Sequence, residues 1–383
     1  MTQRVGIVAV AQTKYEAAKG QHLMDLVLEV TDKIAEETGI SVVNDVDSVV
    51  SCSQDHWDGR TISSVAIPDF TGAHLKDESK VAGDGAYAVL YGMMHILSGH
   101  HNLVLVVSHC SESQTDSRII ENCAIDHIYQ RMLGLDFLSC AAMQANLYMQ
   151  KYGILREQCA RVVVKNKSNA CNNPYAQEPL LLTIEEVLNS KMMAYPITML
   201  DAKPVSDGAC AILLASEDKA KKLTDKPVWI NGAGNCYDAH SLGDRDLCAC
   251  ESLVSASKRA YRMAGITNPR KEVDLIEMSE TFSYQELLWT EGLGICKPGE
   301  GGKLIDSGAT LVEGNIPVNP SGGLLAGVPV TVAGMSRVAE ASLQLRGEAG
   351  KHQIPDAEIA VAHGTAGVCG QMHCVLVLEK GDR

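Results

Sequence analysis

The sequence predicts an α/β fold built from two copies of a βαβαβ unit. Apolar runs of strand length alternate with segments whose apolar residues recur at helical spacing. The order of these elements occurs twice along the 383 residues, and a short phrase marks matching places: Asp-Val-Asp at 45–47 and Glu-Val-Asp at 272–274. The two copies should therefore form two helix-flanked sheets related by pseudo-twofold symmetry.

The first copy begins with a strand in RVGIVAVAQT, residues 4–13, where a short apolar run has polar flanks. A helix follows at about 22–38, because its apolar residues have helical spacing and Gly39 marks its end. The later elements of this copy are predicted as a strand at 43–52, a helix at 86–98, a strand at 102–109 and a closing strand at 209–216.

The second copy repeats this order. It begins with a strand in PVWINGAGNC, residues 227–236, and its first helix at about 250–264 should end at Gly265. The later elements are predicted as a strand at 272–280, a helix at 328–345, a strand at 357–364 and a closing strand at 373–379.

An interval of different character interrupts the first copy. Residues 111–205 are richer in Asn, Gln and Met and lack the repeat, so we interpret them as an inserted loop domain. The chain then divides into an N-terminal half at 1–110 and 206–225, the loop domain at 111–205, and a C-terminal half at 226–383.

Composition argues against several classes of function. The formal net charge is −14 and no basic run occurs, which argues against binding to nucleic acid or to anionic membranes. No apolar run of 18 residues and no signal-peptide pattern is present, so we expect a cytoplasmic protein. The 13 cysteines include no C-x-x-C pair, which predicts reduced thiols and no metal site on this chain.

Four phrases, in order along the chain, resemble those of the thiolase superfamily. They are SDGACAILLAS at 206–216, SETF at 279–282 in place of Asn-Glu-Ala-Phe, VNPSGGLLAG at 318–327, and HGTAG at 363–367. The phrase LGICKPGEGG at 293–302 also resembles the archaeal and sterol-carrier-type branch of this superfamily. Any one phrase is weak evidence for the superfamily, but four phrases in the family's order on a duplicated chain are specific evidence for it.

The resemblance implies a fold, a chemistry and partners. The fold would be a layered α/β/α/β/α core with the loop domain inserted in its first half. Coenzyme A would be a substrate, in acyltransferase chemistry on its thioesters. Members of this branch often combine a homodimeric core with a small zinc-ribbon/OB-fold subunit, and benzoylsuccinyl-CoA thiolase is one such two-subunit example.

Two departures from the family pattern affect the expected mechanism. The nucleophilic cysteine of thiolases begins a buried helix, where the helix dipole favours a thiolate. No cysteine lies between Cys52 and Cys110 here, and Ala82 falls at or near the nucleophile position. The histidine of the family's Gly-His-Pro motif is replaced by Val328. Two of the usual catalytic groups are therefore absent from their usual positions.

Six residues are candidates for the chemistry that remains. His363 matches the last family motif and could act as a base or an oxyanion donor, the alternative being a hydrogen-bonded core histidine. Glu280 and Ser279 lie at a predicted strand end, or form a helix N-cap pair. Asp84 could be a carboxylate near the missing thiol, or an ordinary N-cap. Cys110 could be a relocated thiol tuned by His109, or an inert core thiol. His56 could belong to a functional loop, or lie on the surface beside Trp57.

Glycines and basic residues are candidates for contacts with coenzyme A. Glycines let backbone N–H groups approach a thioester closely, and the family motifs here contain Gly322, Gly323, Gly364 and Gly367. In the loop domain, the candidate phosphate partners are Arg156, Lys165 and Lys167, although a solvated helix face explains them equally well.

Three functions remain open from the sequence. The first is a non-standard thiolase that cleaves a 3-oxoacyl-CoA with CoA or runs the reverse condensation. The second is a retro-aldolase on a 3-hydroxyacyl-CoA, a reaction that needs a base and an enolate-stabilising site but no acyl acceptor. The third is a thiolase-like scaffold subunit without chemistry.

Overall fold

A computed structural model describes residues 4–18, 20–123 and 125–381. Its strands are β1 Val5–Gln12, β2 Ser48–Cys52, β3 Asp77–Val81, β4 Leu103–Ser111, β5 Met192–Ala194, β6 Ile197–Thr198, β7 Asp207–Ser216, β8 Val228–Tyr237, β9 Leu275–Met278, β10 Ile359–Ala366 and β11 Met372–Lys380. Its α-helices are α1 Leu23–Thr38, α2 Val42–Asp45, α3 Asp55–Asp58, α4 Pro68–Thr71, α5 Gly85–Leu97, α6 Ser117–Asn122, α7 Phe137–Tyr152, α8 Arg156–Ala170, α9 Ile184–Leu188, α10 Glu217–Leu223, α11 Glu251–Ala264, α12 Pro269–Glu272, α13 Ser283–Gly292, α14 Gly301–Asp306 and α15 Ala333–Arg346.

The duplication is visible in the order of the strands. The first copy contributes β3-β2-β4-β7-β1 and the second contributes β8-β11-β10-β9, so β2, β4, β7 and β1 correspond to β9, β10, β11 and β8. The two expected sheets are joined, because β1 and β8 pair over Gly6–Trp229 and Ile7–Val228 and form one nine-stranded sheet.

The core has the five layers expected for the fold. Helix α1 covers one face of the first copy, and its buried residues pack with Leu105 and Val107 of β4. Helices α5 and α15 lie together between the two copies, where apolar residues of both meet Val106 and Ala362. Helices α11 and α13 cover the outer face of the second copy. The burial of these apolar side chains stabilises the fold.

The two edges of the sheet differ. Strand β3 lies at one edge and pairs only with β2 among the described strands. Strand β9 lies at the other edge, and an extended segment runs beside it. The Ile276 N–H donates to the Pro317 carbonyl at 2.9 Å, and the Asn319 N–H donates to the Ile276 carbonyl at 2.8 Å. This segment takes the place of β3 in the second copy.

Two predicted elements begin five residues later than expected, and the strand predicted at 272–280 is observed only at Leu275–Met278. The strand predicted at 43–52 is confirmed only from Ser48, because Ser41 caps the short helix α2 by accepting from the Asn44 N–H at 3.3 Å. The helix predicted from residue 328 begins at Ala333. Pro329 disfavours helical backbone at Val328, and a turn follows in which the Val332 N–H donates to the Pro329 carbonyl at 3.1 Å before the helix begins.

Residues 111–205 contain helices α6 to α9 and the two-stranded sheet of β5 and β6. Helix α8 packs on α13 and α14 of the second copy, and the Tyr15 N–H of the first copy donates to the Tyr175 carbonyl at 3.1 Å, so this segment contacts both copies. Within the described residues, no helix combines the length and the apolar character needed to cross a membrane.

Candidate active site

A cavity of about 210 Å³ lies where the two copies and residues 111–205 meet. We call it the central cavity. The first copy lines it with Gln54, His56, Trp57 and Gly83. The second copy lines it with Thr281, Gln285, Val330 and the loop 365–370, which begins with the last two residues of β10. Residues 111–205 further contribute Ile120, Glu121, Cys123, Phe137 and Lys203. The volume suits the reacting end of a substrate, since whole-ligand pockets are usually larger.

Lys203 is held at the wall of the central cavity by a buried carboxylate. Its ammonium donates to both carboxylate oxygens of Glu112, at 2.8 Å each, and these side chains are 10% and 2% exposed. Glu112 also accepts from the backbone N–H groups of Ser206 and Val330. The Lys203 backbone N–H donates to the Thr281 carbonyl at 2.9 Å. These contacts fix the ammonium between the two copies.

Glu121 and Cys123 lie at and just after the end of α6, and both line the central cavity. Burial raises the pKa of the Glu121 carboxyl to about 7, against the opposing effect of the nearby Lys203 ammonium. The Cys123 thiol contacts the Ile119 carbonyl at 3.6 Å. Among the described residues, Cys123 is the one cysteine that lines this cavity.

The loop after β10 exposes backbone to the central cavity. Gly367 and Gly370 line it with φ values of +78° and +65°, conformations that glycine adopts without steric cost. A side chain at Gly370 would have its Cβ 2.5 Å from the Trp289 ring, so only glycine fits there. Backbone N–H groups of such a loop are suited to an oxyanion.

His363 does not line the central cavity. It lies within β10, is fully buried, and pairs with His373 through a 2.8 Å contact between its Nε2 and the Nδ1 of that residue. Both rings pack against Trp289 of α13. Burial holds the pKa of His363 well below its usual value, and the neighbouring His373 adds to this effect. The imidazole is therefore neutral and faces the outer helical layer.

Ser279 and Glu280 lie behind the wall of the central cavity. The Ser279 N–H donates to the His363 carbonyl at 3.1 Å, which links the ends of β9 and β10. The Glu280 carboxylate accepts from Asn166 at 3.0 Å and Asn319 at 2.8 Å. Burial, with a contribution from Glu286, raises the pKa of Glu280 to about 8. The pair does not cap α13, whose N-cap is Phe282.

Asp84 joins two helix N-termini at the centre of the molecule. Its carboxylate accepts from the Ala86 N–H of α5 at 2.9 Å and from the Gly334 N–H of α15 at 2.7 Å. The side chain is fully buried, and this burial raises its pKa to about 7. Ala82 precedes α5 and carries no functional group, and Val328 is a buried core residue.

Cys110 and His56 lie in different surroundings. Cys110 is fully buried, and burial raises its pKa well above the usual value. His109 cannot tune this thiol as expected, because adjacent strand residues point to opposite faces and His109 instead faces Asp58, 3.8 Å away. His56 belongs to α3 and lines the central cavity from an exposed position.

Of the four predicted glycines, only Gly367 lines the central cavity. A Cβ at Gly322 would lie 2.9 Å from the Ala170 side chain, and one at Gly323 would lie 2.0 Å from the Glu280 carboxylate, so both pack against the interior. Of the basic candidates, Lys165 and Lys167 are buried in ion pairs with Glu286 and Glu178, which leaves neither free to meet a phosphate.

The fourth glycine, Gly364, makes room for Asp84, and this leads to a prediction. A Cβ at residue 364 would lie 1.9 Å from the Asp84 carboxylate and 2.6 Å from the Ala86 side chain. Gly364→Ala should therefore lower the free energy of unfolding by about 3 kcal/mol, as overpacking a buried site does. Gly243→Ala is the control, because its nearest neighbour lies 3.8 Å away. Equal midpoints in urea for the two variants would contradict this account.

Sequence reasoning missed Glu121, Cys123 and Lys203. Lys203 lies three residues before the family phrase at 206–216, so its position near the site could have been inferred from that phrase. Glu121 and Cys123 belong to residues 111–205, where no repeat or phrase gives a register. Only their place in the lining of the central cavity identifies them.

Known proteins resemble this chain over most of its length. The family described as Thiolase C-terminal domain-like matches residues 234–380. Acetyl-CoA acetyltransferase of Methanothermobacter thermautotrophicus is 35% identical, with 96% of this chain and 97% of the relative covered. The benzoylsuccinyl-CoA thiolase subunit BbsB of Thauera aromatica is 34% identical over 60% of each chain.

A solved structure supports the same fold. The structure of the Ltp2-ChsH2(DUF35) aldolase superposes with a TM-score of 0.85 at 23% identity, covering 98% of this chain and 97% of that one. The layered core, the ordered phrases and a near-full-length relative at 35% identity agree. The chain belongs to the thiolase superfamily and is an acyltransferase enzyme.

Proposed function

We propose that the chain is the large subunit of a cytoplasmic, non-standard thiolase. It would cleave a 3-oxoacyl-CoA with CoA to give two acyl-CoAs, or run the reverse condensation. The central cavity supports this proposal best, because it gathers the carboxyl of Glu121, the ammonium of Lys203 and the backbone of Gly367 around one space. Acid–base groups and oxyanion donors are what a reaction beside a thioester carbonyl requires.

The acyl acceptor distinguishes this enzyme from an ordinary thiolase. A thiolate attacks the 3-oxo carbon, the bond between C2 and C3 breaks, and its electron pair forms the enolate of the departing thioester. That enolate then takes a proton at C2. Because Ala82 offers no sulfur at the start of α5, the attacking thiolate would be CoA itself or the thiol of Cys123 in the cavity wall.

Ser279, Glu280 and His363 lie behind the wall of the central cavity and would hold the cavity-lining residues in place rather than react. Ser279 and Glu280 hold the end of β9 against β10 and the segment at 318–327. The His363 carbonyl accepts the Ser279 N–H, and the His363 side chain is buried against Trp289. We propose that these residues fix the strand ends from which Thr281 and the loop 365–370 reach the substrate.

A retro-aldolase is the second candidate. The observation that favours it is the absence of a cysteine at the start of α5, because retro-aldol cleavage of a 3-hydroxyacyl-CoA needs no acyl acceptor. The carbon–carbon bond would break to release an aldehyde or ketone, and the thioester enolate would again take a proton. Both candidates therefore need the same base and the same oxyanion donor.

A small zinc-ribbon/OB-fold subunit is the proposed companion of this chain. Two similar proteins support the idea: one is named as the subunit BbsB of a thiolase, and the other was solved as Ltp2 with ChsH2(DUF35). A homodimeric core formed by this chain is proposed from the family resemblance. The companion would bind the assembled large subunits and complete the functional enzyme.

Product analysis distinguishes the candidates. The chain, with and without its companion, is incubated with acetoacetyl-CoA plus CoA and separately with a 3-hydroxyacyl-CoA. We expect two acyl-CoA products from the first mixture and no carbonyl product from the second. An aldehyde or ketone from the second mixture would instead support the retro-aldolase, and no product from either would support a scaffold.

The acyl acceptor is identified by intact mass. If Cys123 accepts the acyl group, the chain should gain the mass of one acetyl group with acetoacetyl-CoA, and Cys123→Ser should abolish both this adduct and turnover. If CoA attacks directly, no adduct forms and Cys123→Ser stays active. Cys171→Ser is the control, because that exposed thiol lies outside the cavity lining.

A further inference from the structure

Two charged side chains in the central cavity have no counterpart among the expected catalytic groups. Glu121 comes from α6 and Lys203 from the stretch before β7, so residues 111–205 place an acid and a base on the same cavity. We propose that Glu121 moves the α-proton of the bound thioester and that Lys203 donates to the enolate oxygen. This inference rests on the proposed carbon–carbon bond chemistry and deepens it.

Lys203 has the geometry of a fixed donor. Two of its contacts go to the two oxygens of Glu112 at 2.8 Å, and a third, to the Pro204 carbonyl, is long at 3.5 Å. An ammonium carries three donor hydrogens, so one of them remains available to the cavity. Because Glu112 holds the side chain, Lys203 need not reorganise when negative charge develops on the substrate oxygen.

Glu121 has the geometry of a free base. Glu121 lines the central cavity close enough to Lys203 for the two charges to interact, and none of the hydrogen bonds among the described residues involves its carboxyl. Burial raises its pKa to about 7, Lys203 acts in the opposite direction, and the carboxylates of Glu112 and Asp136 add to the rise. A base is most effective when its pKa lies near the working pH, so Glu121 is matched to proton transfer at neutral pH.

The proposed step balances atoms and charge. The Glu121 carboxylate takes a proton from the α-carbon of the thioester, and the C–H electron pair becomes the carbon–carbon double bond of the enolate. The carbonyl π electrons move to the thioester oxygen, which accepts a hydrogen bond from the Lys203 ammonium. In the cleavage direction, the protonated Glu121 returns the proton to C2 of the enolate. The missing family groups at Ala82 and Val328 take no part.

Exchange of α-protons with deuterium tests the roles of Glu121 and Lys203 without any carbon–carbon bond being made or broken. The chain is incubated with acetyl-CoA in D₂O, and mass spectrometry follows deuterium entering the acetyl group. Wild-type exchange should rise with pH and level off above about 7, since the ionised form of Glu121 is the base. Glu121→Gln should slow exchange by about 100-fold or more, and Glu121→Asp should restore part of it.

Matched variants distinguish the proposed chemical roles of Glu121 and Lys203 from a purely structural role. Glu185→Gln alters an exposed carboxyl in the same region of the chain and should leave exchange unchanged. Lys203→Met alone would leave Glu112 buried without its partner, so Lys203→Met is combined with Glu112→Gln. This double variant should slow exchange by about 100-fold, while Lys203→Arg, which keeps the charge, should lose less.

The outcomes separate the proposed roles of Glu121 and Lys203 from the proposed carbon–carbon bond chemistry. If wild type exchanges protons, Glu121→Gln does not, and wild type gives no cleavage products, the proposed function fails and the roles of Glu121 and Lys203 stand. If wild type cleaves substrate and Glu121→Gln keeps both exchange and its pH profile, the pair fails. Absence of exchange in the wild type also overturns the pair, because acetyl-CoA alone supplies the proton to be moved.

Discussion

Arg337→Met should lower the free energy of unfolding by about 3–5 kcal/mol, the usual cost of leaving a buried charge without its partner. The Arg337 guanidinium is 2% exposed and donates to Glu277 and to Ser321, at 2.6 Å each. Glu340, one turn later on α15, is also buried and interacts electrostatically with Arg337. Methionine fills most of the space but leaves the buried Glu277 carboxylate without its ion-pair partner, whereas Glu340 keeps the contact with His352 at 3.0 Å. Urea titration followed by circular dichroism measures the effect.

A double variant and a surface control test this explanation. Glu277→Gln combined with Arg337→Met should recover at least about 1 kcal/mol, because it removes the buried charge that has lost its partner. Lys226→Met breaks the exposed ion pair with Glu348, whose side chains are 49% and 35% exposed, and should cost less than about 1 kcal/mol. A loss for Arg337→Met no larger than this control would show that the buried ion pair contributes little.

Asp84→Asn should change the pH dependence of stability. In the folded chain burial raises the pKa of Asp84 to about 7, whereas the ordinary value is 3.8. Between these values the folded state keeps a proton that the unfolded state has released, so the contribution of Asp84 to stability falls as pH rises from about 4 to 7. Asparagine does not titrate, and the variant should gain up to about 4 kcal/mol relative to wild type across this window.

The test is the difference between two unfolding curves at each pH. At pH 4 the variant should be less stable, because an amide offers one acceptor for the two N–H groups of Ala86 and Gly334, at a cost of about 1–3 kcal/mol. The difference in the free energy of unfolding between wild type and Asp84→Asn should close or reverse by pH 7. Other titrating groups cancel in the difference, so parallel curves would mean that Asp84 ionises normally in the folded chain.

The fold was largely predictable because its signals are local. Apolar periodicity gave β1, α1, β8 and α11 to within about two residues, and the repeated order gave the pairing of the copies. The missed boundaries have local causes that an apolar count does not detect: the Ser41 cap that makes residues 42–45 helical, and Pro329 before α15. The joining of β1 to β8 depends on contacts between the copies, which no local pattern specifies.

The candidate site was predictable in place but not in detail. The family phrases indicated the junction where Thr281 and Gly367 meet. They could not indicate that His363 faces Trp289, because which side of a strand meets the cavity depends on register. Glu121 and Lys203 belong to residues 111–205, whose sequence shows no repeat, so only the folded structure shows that they line the same cavity. The roles of His363, Glu280 and Cys110 remain predictions.

The loss of symmetry between the copies limits how the chain can assemble. The extended segment beside β9 covers that edge of the sheet, whereas no described strand pairs with the outer edge of β3. Two chains that align β3 against β3 would satisfy each other's backbone and leave no further end to extend. Assembly by this route would stop at a closed pair, because the sheet edge left at each end is the one already covered by the segment beside β9.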